Sequence, residues 1–237
     1  MPLRSILPQL GFHYQAKSRL NTSKTMVEIR NGIRHALSSP HIYDLFQSLV
    51  GAYAWRRAVI NRYLCGVLPA KGLIIDIGCG TSQILNYLPP EAEYIGFDRN
   101  PKYIKHAYSR YSHKNGQFFC EEFSPTFDLK GRRADAVLAF GLIHHLDDIS
   151  SIHLFKNAKS ILRENGFLLT LDPVYTNAQS ISARYIISKD RGTAVRSEVD
   201  YKALACQAFD LVEVYVDLNP LRIPYTGIVM KCKNSVL

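Results

Sequence analysis

The chain has 237 residues, 47% hydrophobic and 21% charged, with a formal net charge of +9. This is a globular composition that excludes disordered and fibrous classes, and no apolar run reaches the ~18 residues of a membrane-spanning helix. The five cysteines (Cys65, Cys79, Cys120, Cys206, Cys232) are odd in number, widely spaced and without a C-x-x-C pair. Neither a disulfide framework nor a cysteine zinc site is therefore expected, and a reducing, cytoplasmic setting is.

Charge concentrates at the start of the chain, where residues 1–71 hold ten Lys/Arg against two acids, Glu28 and Asp44. Such a basic face attracts nucleic acid, anionic lipid or an anionic substrate, or is simply a solvated helical surface. Residues 1–24 carry Pro2 and Pro8 and no acid, and read as a basic arm. From Thr25, Met26, Ile29, Ile33 and Leu37 recur at helical spacing until Ser38-Ser39-Pro40;. A second helix is expected over 41–64, with Ile42, Leu45, Phe46, Leu49 and Val50 on one face. Residues 25–71 thus form a helical cap, and 72–237 the domain behind it.

At Gly72 the period changes. Short continuous apolar runs, the mark of strands buried on both faces, alternate with helical segments. Strands are expected at 73–77, 93–97, 117–121, 135–140, 166–171, 210–217 and 226–232. Helices are expected at 82–88, 100–111, 148–163, 178–187 and 197–208. This alternation predicts an α/β, mostly parallel, doubly wound sheet. The connection over 218–225 is too short for a helix, so the last two strands are expected to be antiparallel.

The run Leu73-Ile-Ile-Asp-Ile-Gly-Cys-Gly-Thr81 ends a buried strand in a glycine turn. Gly78 and Gly80 admit close approach of a ligand, because no Cβ stands in the way, and N–H groups at the start of the following helix await an acceptor. Glu93-Tyr-Ile-Gly-Phe-Asp98 ends the second strand in an acid. Such an acid holds the two hydroxyls of a ribose, or caps the next helix. Gln83 stands where a dinucleotide site needs a third glycine. Asp76 precedes the glycines, where a carboxylate suits a cationic amine and repels a pyrophosphate.

Asp76-Ile-Gly-Cys-Gly-Thr resembles the first motif of class I S-adenosylmethionine (SAM)-dependent methyltransferases of the small-molecule type. The resemblance runs from about residue 41 to 232. It implies a Rossmann-like sheet of seven strands, one antiparallel, under an N-terminal helical lid, with SAM as cofactor and S-adenosylhomocysteine (SAH) as product. By this resemblance Asp98 matches the ribose-binding acid and Glu122 the acid near the adenine amine. Residues 136–148 resemble the fourth strand and its loop, and 165–173 the fifth. Ser82 replaces the common third glycine, and Glu121-Glu122 stands where Gly-Asp is usual. Asp76, Gly78, Cys79, Gly80, Asp98, Arg99, Glu122, Phe123 and Phe140 are the expected cofactor residues. Arg56 is added as a partner for the methionine carboxylate.

Methyl transfer mainly requires holding nucleophile and methyl in line, about 3–3.5 Å apart. A base helps when the acceptor is a hydroxyl. His145, and after it His144, are the candidate bases in His144-His145-Leu-Asp-Asp148, with Asp172 at the neighbouring strand end. Packing of the loop against the cofactor is the competing reading. No metal is expected, since adjacent histidines on a strand end point apart. Tyr43, Phe46, Tyr175 and Tyr225 are candidates for the acceptor pocket. The expected activity is methylation of a small molecule of secondary or cell-surface metabolism, at oxygen first and nitrogen or carbon second, by a monomer or homodimer. An RNA methyltransferase and a non-catalytic SAM-binding partner protein are the alternatives. Nucleic acid is not the expected partner, because no RNA-binding module is recognisable.

Overall fold

The computed structural model describes residues 39–111, 113–190 and 192–235. The arm and the helix expected over 25–37 lie outside them. Two helices come first, α1 (Pro40–Leu49) and α2 (Ala52–Tyr63). Then follow β1 (Leu73–Ile77), β2 (Glu93–Phe97), α3 (Pro101–Tyr111), β3 (Gly116–Phe119) and β4 (Ala134–Phe140). The second half contains α4 (Asp148–Ile161), β5 (Leu162–Tyr175), α5 (Ile181–Ser188) and the two-residue β6 (Arg196–Ser197). It ends with α6 (Glu198–Ala205), β7 (Leu211–Asp217) and β8 (Gly227–Lys233).

The sheet runs β3-β2-β1-β4-β5-β8-β7, with β6 added to β5. β8 is antiparallel to both neighbours, and the other neighbouring strands are parallel. The mixed sheet and its antiparallel terminal pair are as expected. Three elements differ most. The helix expected over 41–64 is two helices, because Gly51 adopts φ 86°, a left-handed conformation that only glycine takes without strain. The break is docked: the Arg222 N–H donates to the Val50 carbonyl at 2.9 Å. The helix expected over 82–88 is one 3₁₀ turn, Gln83–Asn86, with Pro89 and Pro90 soon after it. β5 begins at Leu162, where the expected helix still ran.

Strand alternation sorts the core into two layers. Leu73, Ile75, Ile77, Val137, Ala139, Leu168 and Val174 face α4 and α6, against Phe155, Ala158, Tyr201 and Leu204. Ile74, Ala136, Leu138, Phe140, Leu169 and Leu171 face α2, against Trp55, Val59 and Ile60. A Cβ on Gly227 would overlap the Trp55 ring, so that glycine lets α2 lie close on β8. Alternation also decides where two acids point. Asp76 shares its face with Ile74, under α2. Asp172 shares its face with Leu168 and Val174, on the α4 and α6 side.

Candidate active site

A narrow cleft opens at the carboxyl ends of β1 and β4. It is lined by Tyr43, Arg56, Asp76, Gly78, Cys79, Gly80, Thr81, Gln83, Ile84 and Phe140. Six of these were expected at the cofactor. Tyr43 was expected at the acceptor but stands against Arg56 in the cofactor cleft. Thr81, Gln83 and Ile84 were missed, although they directly follow the glycine turn.

The floor is the turn after β1. Gly78 and Gly80 have φ 75° and 57°, so both need glycine's freedom. Above Gly80 a Cβ would meet nothing within 4 Å, which leaves its backbone open to a ligand. Ser82 is also left-handed, at φ 54°. This is the position where glycine is common in the resembling family, and here the serine carries the strain.

Asp98 is engaged through both oxygens: Gly80 N–H donates to Oδ2 at 2.9 Å and Asn100 N–H to Oδ1 at 2.7 Å. It therefore braces the turn and the approach to α3, which Asn100 caps by taking the Lys102 N–H on its Oδ1 at 3.0 Å. Asp76 is buried and accepts the Tyr94 hydroxyl at 2.6 Å. Burial pushes its carboxyl up to about 7, against the Tyr94 hydrogen bond and the charge of Arg56. Burial also opposes the charge of Arg56, but Tyr43, Tyr53 and Asp76 outweigh it and hold the guanidinium charged. Arg56 Nε is buried without a hydrogen-bond partner. A buried cation with an unused donor beside an open glycine turn fits an anionic group of a ligand. Together with Asp76 it makes a cation–anion pair suited to the two ends of an amino acid, so the residues present fit the methionine part of SAM.

The other expected cofactor residues are placed less directly. Arg99 and Glu122 are exposed and pair with each other at 4.0 Å. Phe123 is buried in the core, edge-on to Phe97 at 5.3 Å between centroids. Of the expected acceptor residues, Phe46 is 40% exposed and outside the cleft lining. Tyr175 lies under Arg184, 5.3 Å from its guanidinium carbon. Tyr225 donates to Asp190 Oδ2 at 3.5 Å.

The histidine pair corrects the sequence reading most. His144 and His145 lie on a 3₁₀ turn, Ile143–His145, not on a strand end, and their rings sit side by side, 4.1 Å apart at 39°. His144 is buried between two carboxylates. Nδ1 meets Asp172 Oδ1 at 2.7 Å and Nε2 meets Asp190 Oδ1 at 3.2 Å. Burial works against its charge, but those two acids win and raise its pKa to about 9. In exchange Asp190 is held below the ordinary carboxylate range. With both nitrogens engaged, His144 does not serve as a general base near neutral pH. Asp190 was missed in the sequence because it sits in an aperiodic polar stretch before Gly192.

That stretch is tied to the histidine turn. Ala194 N–H donates to the His144 carbonyl at 2.9 Å. Arg196 donates to the Leu146 carbonyl at 2.7 Å and to Asp148 Oδ1 at 2.7 Å. A Cβ on Gly192 would strike the His144 ring. The cluster borders the cofactor cleft through Gly141: a Cβ there would stand 3.8 Å from Arg56 Nη2 and 3.9 Å from His144 Cε1.

A family model described as a methyltransferase domain matches residues 75–168. No curated protein matches the sequence. Among solved structures the chain is similar to the plantazolicin methyltransferase BpumL in complex with a monoazolic desmethylPZN analog and SAH. Identity is 15% and the TM-score 0.62, over 86% of this chain and 91% of that one. It is similar to the mitomycin 7-O-methyltransferase MmcR at 17% identity and TM-score 0.60, over 84% and 60% of the two chains. Human N-acetylserotonin methyltransferase in complex with SAM matches at 16% identity and TM-score 0.57, over 76% and 52%. At these identities the likeness to solved structures is one of fold. No helix among the described residues is long and apolar enough to cross a membrane.

Proposed function

Residues 75–168 form a methyltransferase domain of the class I SAM-dependent type, and on that premise we propose that the chain methylates a small molecule at oxygen. SAM, when bound, supplies an electrophilic methyl group on a sulfonium. The single observation that carries the reading is the cleft in which Asp76, the open Gly78–Gly80 turn and Arg56 with its unused Nε converge. Asp76 would hold the ammonium of the methionine part and Arg56 its carboxylate. Asp98, at the end of β2 beside the glycine turn, would take the ribose hydroxyls. Glu122 and Arg99, an exposed pair, would meet the adenine.

The helices in front do the excluding. Tyr43 on α1 and Arg56 on α2 close the cleft over β1 and β4, which keeps water from the reacting atoms. The acceptor would approach along Phe140 and Gly141, towards the side chains of His144, His145 and Asp190. Two of the similar methyltransferases are named for small acceptors, mitomycin at a 7-O position and N-acetylserotonin, and this supports a small molecule for this chain. Acceptors of secondary or cell-surface metabolism remain the first choice.

Calorimetry with SAM, SAH and NAD tests the cofactor. Micromolar SAM and SAH binding without comparable NAD binding is expected, and the reverse pattern overturns the reading. Methyl-labelled SAM offered with phenols, sugar hydroxyls, amines and total RNA tests the acceptor. Label in RNA alone would replace the small molecule with the nucleic acid.

A further inference from the structure

We propose that His144, His145 and Asp190 form a binding site for one divalent transition-metal ion beside the cofactor cleft. One ligand atom from each of the three lies within 4.8 Å of the others. Two nitrogens and one carboxylate oxygen are a donor set for zinc, cobalt, iron or manganese rather than calcium or magnesium.

The two contacts of His144 differ in a telling way. Nδ1 lies 2.7 Å from Asp172 Oδ1, the length of a charge-assisted hydrogen bond. Nε2 lies 3.2 Å from Asp190 Oδ1, which is long for such a bond. It is the length of a coordination edge: two ligands each about 2.1 Å from one ion, at right angles, are about 3.0 Å apart. Asp172 is therefore placed as the carboxylate that orients a ligating imidazole through its far nitrogen. It is itself fixed, because the His144 N–H donates to the same Oδ1 at 3.2 Å. Asp190 is oriented by Gly192 N–H at 3.0 Å and by the Tyr225 hydroxyl. His145 offers its nitrogen within 4.8 Å of the other two ligand atoms.

An ion there takes the place of the Nε2 proton, so binding releases a proton. With three protein ligands, it keeps positions open for an acceptor oxygen. Its charge favours breaking the acceptor O–H bond, the proton passing to water. This use of the ion rests on the methyltransferase reading, whereas the binding itself does not.

The test titrates chelator-treated full-length protein with Co²⁺, Zn²⁺ and Mn²⁺, following Co²⁺ by its visible absorption and the others by calorimetry. One equivalent of Co²⁺ or Zn²⁺ is expected to bind with a Kd in the micromolar range. His145→Ala and Asp190→Ala should each weaken it at least tenfold, and Asp172→Asn should weaken it about 10- to 100-fold by releasing the ring. SAH affinity and melting temperature of each variant report whether the fold survives. Absence of stoichiometric binding to the unaltered protein below about 1 mM overturns the proposal. So does metal affinity unchanged in a folded Asp190→Ala protein. SAH binding without metal binding removes the metal site and leaves the methyltransferase reading intact. Metal binding without SAM or SAH binding does the reverse.

Discussion

The Thr81 hydroxyl donates a 2.6 Å hydrogen bond to Asp44 Oδ1, tying the helix in front of the cleft to the glycine turn that forms its floor. The same oxygen accepts the Tyr53 hydroxyl from α2 at 2.6 Å, and Oδ2 faces His106 and Arg110 on α3, each at 3.3 Å. One acid of the cap thus joins three elements around the cofactor cleft.

Asp44→Ala should therefore loosen the cap. Removing an acceptor from two short, largely buried hydrogen bonds costs about 2–3 kcal/mol, or a melting temperature lower by roughly 4–12 °C. SAM affinity should fall with it. Arg110→Ala removes only a half-exposed ion pair and should change stability by less than about 1 kcal/mol. Thermal melts with and without SAH read both, and equal effects from the two variants would remove Asp44 from its central place.

Asp98→Ala should weaken SAM binding by ~2–3 kcal/mol, a roughly 30- to 150-fold rise in Kd, because a charged acceptor is taken from hydroxyl donors. The melting temperature should also fall, since Gly80 and Asn100 lose their acceptor. A folded variant with unchanged SAM affinity would leave Asp98 only its role in bracing the glycine turn.

Asp76 sets a pH dependence. Its ordinary pKa of 3.8 rises to about 7 in the folded chain, so the folded state holds a proton that the unfolded chain has released. The stability from this protonation is complete below about pH 4 and is lost as the pH rises through about 7. The ligand-free protein should melt higher at pH 5.5 than at pH 8, and Asp76→Asn should flatten that difference. Binding of an ammonium group needs the ionised carboxylate, so SAM affinity should fall as the pH drops below 7. Calorimetry in buffers of different ionisation enthalpy should show proton release on binding at pH 6. An affinity that rises towards pH 6 would contradict an ammonium partner for Asp76.

Ser82→Gly should stabilise the protein. A non-glycine residue in the left-handed region is strained by about 1 kcal/mol, and the contact between the Ser82 and Tyr94 hydroxyls is long, at 3.3 Å. A melting temperature higher by roughly 2–4 °C is expected, and a fall would show that the Ser82 hydroxyl outweighs the strain.

The order of strands and helices, the antiparallel end of the sheet and the glycine turn between Asp76 and Asp98 were legible in the chain. Apolar runs, turn residues and spacing are local, and they carry over whatever packs around them. The break at Gly51 was not, because a lone glycine within a helical pattern declares no sign of φ. The relation of Arg56 to Asp76 needed α2 laid across β1. The cluster of His144, Asp172 and Asp190 needed more: a 3₁₀ turn after β4, the inward face of β5 and an aperiodic loop before β6 meet only in three dimensions. Asp172 and Asp190, which lie 28 and 46 residues after His144 in the chain, carry no local signal of their partner. Burial then decides their protonation, because taking an imidazole and two acids out of water makes their mutual contacts, and not their ordinary affinities for protons, set the charge.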